Sequence, residues 1–324
     1  LKLLLIIQPE NWKRINMAYH LPLKRERLRT ASVILSLIFT LFISEGLDAR
    51  QNQQTAVQKH CLWEVETPTH KVFLMGSLHL LKSDAYPLAP EINAAYSVSP
   101  KVVFETDLGA MQDPAVLNQM LAMGQYPEGQ SLLQNISGDL RMALQKRMTD
   151  LGLPMEQFVR FRPWFLAVTL ATLEFQRLGY SSDNGLDVHY YDRARSDGKE
   201  IGFFEPIDYQ LDLLGNMSAD DQKAFLGQTL KDLEIAAEMA DDMMRFWQKG
   251  QVDKLYSLLF KSFEDYPEME DRLLLQRNKD WVKKIVSMLG ETENIFIVVG
   301  AGHLVGPRSV VALLKQKGYK VRQK

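Results

Sequence analysis

One cysteine, Cys61, stands in a chain of 324 residues. That single thiol excludes an intrachain disulfide and any cysteine-based zinc cluster. It says nothing of the redox compartment, since a chain without disulfides suits either. Cys61 opens CLWEV and lacks the small apolar residues that precede a lipid-modified cysteine, so it reads as a core residue at a strand start. A basic excess is missing too. Net charge is −2, and after residues 1–49 the chain carries 31 basic against 36 acidic groups. Lys and Arg occur in nothing longer than short pairs there, so nucleic-acid binding has no electrostatic footprint. Three familiar catalytic signatures are absent: the G-x-S-x-G elbow, the H-E-x-x-H helix and the Walker phosphate loop.

What is present begins with a core-sized apolar fraction, 46%, beside an ordinary 24% charged. Residues 24–29 read KRERLR, and residues 31–43 then run 13 positions without a charge. A basic stretch before a short apolar core is the secretory signal pattern. The run falls short of the roughly 20 residues that a membrane span needs. Residues 1–50 are therefore expected to be a targeting segment, with its start at Met17 and a cleavage site at Leu47-Asp48-Ala49. Export to the periplasm or the extracytoplasmic face of the membrane follows. Membrane contact is expected only through an uncleaved signal. Residues 51–60 read as a linker, and residues 61–324 as one domain.

Within that domain, residues 61–65 and 71–75 are β-rich and separated by a turn, which predicts a hairpin with His70 exposed in the turn. A loop and a helix from about Pro90 to Tyr96 lead to a short strand, KVVF, at 101–104. Most of the chain from Asp107 to about Gly290 reads as helical. Residues 163–178 are apolar and expected to be buried. Residues 220–249 form an amphipathic pattern through Leu226, Leu230, Leu233, Ala237, Ala240, Met244 and Trp247. Residues 269–289 place Asn278 on an apolar stripe beside Arg277, and buried polar side chains need partners. One strand, EIGFF at 200–204, interrupts the helices. A strand at 294–299, a helix at about 309–317 and a short strand at 319–322 close the chain. The expected class is α/β, a mixed sheet from the N- and C-terminal parts with a large helical insertion.

Two segments match each other at an offset of 224. Residues 72–81 read VFLMGSLHLL and residues 296–305 read FIVVGAGHLV. In each, four apolar residues run into a glycine, and a histidine follows three positions later. Random order would give roughly 0.02 such matches. Each reads as a strand, a glycine turn and a presented histidine, His79 and His303. Two further strands end in carboxylates: KVVF leads to Glu105 and IGFF to Glu205. In open α/β sheets, ligands bind beyond the carboxyl ends of the strands. If these four strands run parallel in one sheet, the four groups converge. Imidazole and carboxylate together suit a divalent ion such as Mn, Zn or Fe. Metal-assisted hydrolysis follows, with Glu105 as base and Arg277 steadying negative charge. A metal-free version, with a His or Glu activating water, uses the same groups. His189 is expected on a helix surface or in the core, and Asp187 as a cap or a partner of Arg193.

These pieces resemble the TraB/GumN family, which is related to the Tiki proteins and more distantly to the erythromycin-esterase and ChaN-like group. The resemblance is carried by VFLMGSLHLLKSDAYPL, VVFETDL, RPWFLAVTL, GLDVHYYDRA, LLLQRNKDW and VVGAGHLVGPRSVVALLKQKGYKV, across about residues 62–321. It implies His79, Glu105 and His303 as the site, with Arg277 and Asn278 matching a helical Arg-Asn element. FFEP at Glu205 departs from the family's more usual Leu-Glu-Thr. Two similar halves are implied to bring the GxxH motifs together. Tiki relatives are regarded as metal-dependent proteases, so the expected substrate is a peptide, or another small molecule. Two other readings stay open. One is a non-catalytic protein holding a peptide, metal or haem; the other is a metal-independent esterase.

Overall fold

The computed structural model describes residues 58–260 and 266–324. The expected targeting segment and most of the expected linker lie outside them. No described helix is long and apolar enough to cross a membrane.

Six strands form one mixed sheet in the order β4-β3-β5-β2-β1-β6. They are β1 (Leu62–Glu66), β2 (Lys71–Ser77), β3 (Lys101–Thr106), β4 (Glu200–Glu205), β5 (Ile295–Gly300) and β6 (Val321–Gln323). β1 pairs antiparallel with both β2 and β6, while β2, β5, β3 and β4 run parallel to one another. The strands of that parallel set read as near-continuous apolar runs, VFLM, VVF and IFIVV, because both faces are covered. Their register is close. Ser77 stands beside Gly300 and Thr106 beside Glu205, so all four C-terminal ends reach one edge of the sheet.

Helices bury the two faces. α1 (Pro90–Ser97) brings Tyr96 against Phe296 edge-on, at 5.8 Å between ring centroids. Further helices are α2 (Pro114–Gly124), α3 (Gly138–Asp150), α4 (Pro163–Arg177) and α5 (Leu186–Ser196). From α5, Tyr190 meets the same phenylalanine at 5.0 Å. α6 (Ile207–Gly215), α7 (Ala219–Asp232), α8 (Ala236–Gln248) and α9 (Val252–Phe260) follow. α10 (Gln276–Met288) stacks Trp281 on Phe204 at 5.1 Å, and α11 (Val310–Gln316) packs beside α10. Aromatic burial of this kind dominates core energetics. Cys61 is a buried core residue, as its context implied.

Three local expectations change. The amphipathic pattern at 220–249 belongs to two helices, α7 and α8, broken at Leu233–Ile235. The i+3/i+4 spacing carries across the break, which hid it. The register shifts there: Ala236 is buried and Ala237 exposed. Residues 267–288 are helical throughout but pass through a π-helical turn, Asp271–Leu275, just before Arg277. His70 is buried at 6% exposure, not exposed in its turn. Its Nε2 lies 3.2 Å from the Met288 carbonyl at the end of α10, which also accepts the Glu291 N–H at 3.0 Å.

Candidate functional site

The sheet edge gathers the groups in layers. Glu105 is the penultimate residue of β3, and its Oε1 accepts from the Gly300 N–H, 2.7 Å away, at the tip of β5. Its Oε2 accepts from Arg277 Nη2 at 2.7 Å. Arg277 comes from the first turn of α10 and is 7% exposed. The same guanidinium donates through Nε to both oxygens of Glu205, at 3.1 and 3.0 Å, and its Nη2 lies 2.9 Å from Glu205 Oε2 as an ion-pair contact. Trp281, one turn along the helix, donates its indole N–H to Glu205 Oε1 at 2.6 Å. Glu205 is thus the anchor of Arg277, with its oxygens taken up by donors. Gln210 on α6 reaches both carboxylates, at 3.3 Å to Glu105 and 3.4 Å to Glu205.

The two histidines sit at different depths. His303 is 4% exposed and packs 4.2 Å from the Trp281 ring. Asn278 Nδ2 donates to the Arg308 carbonyl, so its Oδ1 faces His303 Nδ1 at 2.7 Å and must accept. Nδ1 therefore carries the proton, and Nε2 accepts from Arg277 Nη1 at 3.1 Å. Burial, with Arg277 beside it, pushes this imidazole down to about 3, so it is neutral. His79 stands at the mouth, with its side chain 44% exposed. Its Nδ1 meets Asp187 Oδ2 at 2.8 Å, and Ser77 Oγ donates to the other Asp187 oxygen at 2.7 Å. The Asp187 carboxylate beside it pushes His79 up to about 9. Burial alone would raise Glu105, yet Arg277 and the Gly300 N–H hold it at about 2.

Glycines let these groups approach. A Cβ on Gly300 would lie 3.2 Å from Glu105 Oε1 and 3.8 Å from both His303 Cδ2 and His79 Nε2. All three candidate donors converge on that missing side chain. At the N-cap of α5, a Cβ on Gly185 would strike the His79 carbonyl oxygen at 2.3 Å. Only glycine lets α5 come close enough to set Asp187 behind His79.

His79, Glu105, Arg277 and His303 therefore share one site, and Glu205 stands behind Arg277. Asp187 neither caps its helix nor pairs with Arg193; it is turned inward onto His79 and Ser77. Sequence reasoning passed over this role and that of Gln210. The available signal was an acid in the first turn of a helix opened by a glycine, GLDVHYY. His189, half-buried, packs between Tyr86 and Tyr190 and takes no part.

The donor chemistry can be compared with what a divalent ion requires. Each imidazole has its Nδ1 held from behind, by Asp187 or Asn278, and its Nε2 turned inward. Metal-ligating histidines are commonly oriented this way. Glu105 and Glu205 face the Arg277 guanidinium and Asp187 faces His79; together these groups carry a net −2 when His79 is neutral, which one divalent ion would balance. Among the described residues, no group of three or more His, Cys, Asp and Glu is gathered tightly enough to hold a metal. Arg277 occupies His303 Nε2, and an ion held by both imidazoles would require that contact to be released.

Comparison with known proteins adds relatives of this chain. The uncharacterized protein YbaP of Escherichia coli (strain K12) is 24% identical over 260 residues, covering 79% of this chain and 94% of YbaP. Metalloprotease TIKI2 of Danio rerio is 22% identical over 313 residues, 80% of this chain and 60% of TIKI2. The Metalloprotease TIKI homolog of Amphimedon queenslandica is 21% identical over 339 residues, 89% of this chain and 66% of that protein. The chain thus spans about two thirds or less of these two Tiki proteins. No solved structure matches. The TraB/PrgY/gumN family matches residues 61–323, which takes in every element described above, and this chain belongs to that family.

Proposed function

We propose that the protein is an exported hydrolase of peptide bonds that works with a divalent metal ion at His79, His303 and Glu105. One observation carries the reading: two imidazoles, oriented from behind by Asp187 and Asn278, converge with Glu105 on the bare backbone of Gly300. Relatives named as metalloproteases support the same reaction class.

His79 Nε2, His303 Nε2 and Glu105 would hold the ion. When bound, it lowers the pKa of its water toward about 7 and polarises the carbonyl to be attacked. The chain's own residues supply the rest. Asp187 orients His79, and loss of the His79 proton is a condition of ligation. Arg277 must release His303 while keeping Glu205, whose carboxylate holds the guanidinium near the developing negative charge. Of the two roles expected for Glu105, base and ligand, a carboxylate held at about 2 favours the ligand. It is too weak a base to take a proton at neutral pH while Arg277 and Gly300 hold it.

The test is digestion of a defined peptide pool by chelator-stripped protein, with and without added Mn²⁺, read by mass spectrometry. Cleavage should return with the ion and vanish in His79→Ala and His303→Ala. Cleavage that survives both substitutions would refute the assignment. The Arg277–His303 contact favours one second reading, hydrolysis without a metal, in which Arg277 stays on His303. Under that reading, activity persists in chelator and is lost in Glu105→Ala.

A further inference from the structure

The site lies at the neck between two apolar chambers. One, of about 170 Å³, has an apolar wall of Phe104, Leu108, Met111, Val188 and Tyr191, with Asp183, Asp187 and Asp192 also on its lining. The other, of about 270 Å³, is walled chiefly by Val168, Leu213, Leu214, Met243, Leu273 and Leu274. His79, Glu105 and Gln210 line both chambers. A water's share of liquid is about 30 Å³, so each chamber has room for an aliphatic side chain. Neither alone reaches the roughly 300 Å³ at which small-ligand sites begin, but joined at Gln210 they do.

One polar group points to what crosses the neck. Thr106 follows Glu105 on β3 and lines the smaller chamber. Its residue is 3% exposed, and its hydroxyl has no hydrogen-bond partner among the described residues. A buried hydroxyl without a partner is costly, and a ligand that carries amide groups would satisfy it.

We infer that the substrate is an extended peptide segment with an apolar side chain on each side of its reacting bond, one chamber receiving each. This rests on the hydrolase reading for the word "reacting", but the two-chamber recognition stands apart from it. An apolar acyl chain would fill one chamber and leave the other empty. A polar or charged peptide would have to desolvate its side chains against leucine and methionine.

The experiment measures binding after chelator treatment, so it does not depend on turnover. The probes are acetyl-Ala-Leu-Leu-Ala-amide and three partners in which the first, the second or both leucines are glycine. Calorimetry on the full chain reads the affinities. Each leucine lost should weaken binding roughly tenfold, the effect of withdrawing one aliphatic side chain from a buried site. Met111→Trp, which fills the smaller chamber, should erase the benefit of one leucine only. Leu214→Trp should erase that of the other only. Thr106→Val should weaken every peptide several-fold while leaving the melting temperature unchanged or higher, since it removes an unpartnered hydroxyl. Val168→Phe and Met111→Phe replace either tryptophan variant that fails to fold. Equal affinity for all four peptides, no detectable binding of the Leu-Leu peptide, or both filling variants acting on the same leucine would each overturn the inference. If the Leu-Leu peptide binds as described yet no peptide is ever cleaved, the hydrolase reading fails and the two-chamber site stands.

Discussion

Replacing Glu205 by glutamine separates an arginine anchor from a metal ligand. The substitution keeps the shape and removes the charge. One of the two oxygens becomes an amide donor, facing either the Arg277 Nε–H or the Trp281 indole N–H, which now lie 2.6–3.1 Å from the carboxylate. Removing one partner of a buried ion pair costs about 3–5 kcal/mol. Arg277 keeps Glu105 at 2.7 Å, which places the loss near the lower end, about 3 kcal/mol. A domain of this size loses roughly 2–4 °C per kcal/mol, so the melting temperature should fall by about 6–12 °C. Thermal unfolding of the metal-free protein gives that number, and Mn²⁺ calorimetry on the same sample gives the stoichiometry of binding. Glu205→Gln should melt early and still take up the ion. An unchanged melting temperature would show that the Arg277–Glu205 pair carries no stability. Unchanged stability with ion binding abolished would make Glu205 a ligand and undo the reasoning.

Other consequences follow from the same contacts. Asp187→Asn removes the group that orients His79; at pH 9.5, where the His79 proton no longer competes in either protein, ion affinity should fall about 10- to 100-fold, as for other outer partners of metal-binding histidines, measured by calorimetry. For the metal-free protein, three shifts set the pH profile. His303 and Glu105 are depressed on folding, to about 3 and about 2, so their contribution is present above the unfolded values near 6.5 and 4.5 and is lost as pH falls through those windows. His79 is raised to about 9, so its contribution is present below about 6.5 and is lost as pH rises toward 9. Urea unfolding should therefore show a stability maximum near pH 6.5, and a monotonic rise to pH 9 would contradict it. Ion affinity should increase about tenfold per pH unit from 6.5 to 9 as the His79 proton ceases to compete. Gly300→Val, at a position with negative φ, should fold but lose ion binding, because its branches enter the space between Glu105 and the two imidazoles.

Much of this was legible in the chain. The parallel strands announced themselves as apolar runs ending in Gly, Glu or His, and their convergence needed only the rule for open sheets. Arg277 and Asn278 stood out as polar residues on a buried stripe, and both reach the site. Partners set by distant packing were harder to see. Asp187 lies 108 positions from His79, and only the close approach of Gly185 joins them. Glu205 looked like a fourth ligand because strand ends do not reveal which carboxylate an arginine from another helix will claim. The break between α7 and α8 was invisible because Ala236 and Ala237 are both alanine, so the one-residue shift of the buried face leaves an i+3/i+4 pattern in the sequence. His70 looked like a turn residue, since nothing local shows that the turn lies against the end of α10.

The central claim is that His79 and His303 belong to one ion-binding site with Glu105. Calorimetric titration of Mn²⁺ into chelator-stripped wild type, His79→Ala, His303→Ala and the double variant tests it directly. Wild type should bind one ion per chain, and each single variant should lose most of the affinity. The double variant should lose little more than either single variant, because ligands of one ion act as a unit. Undiminished binding in the double variant, or two independent losses that add, would contradict a shared site.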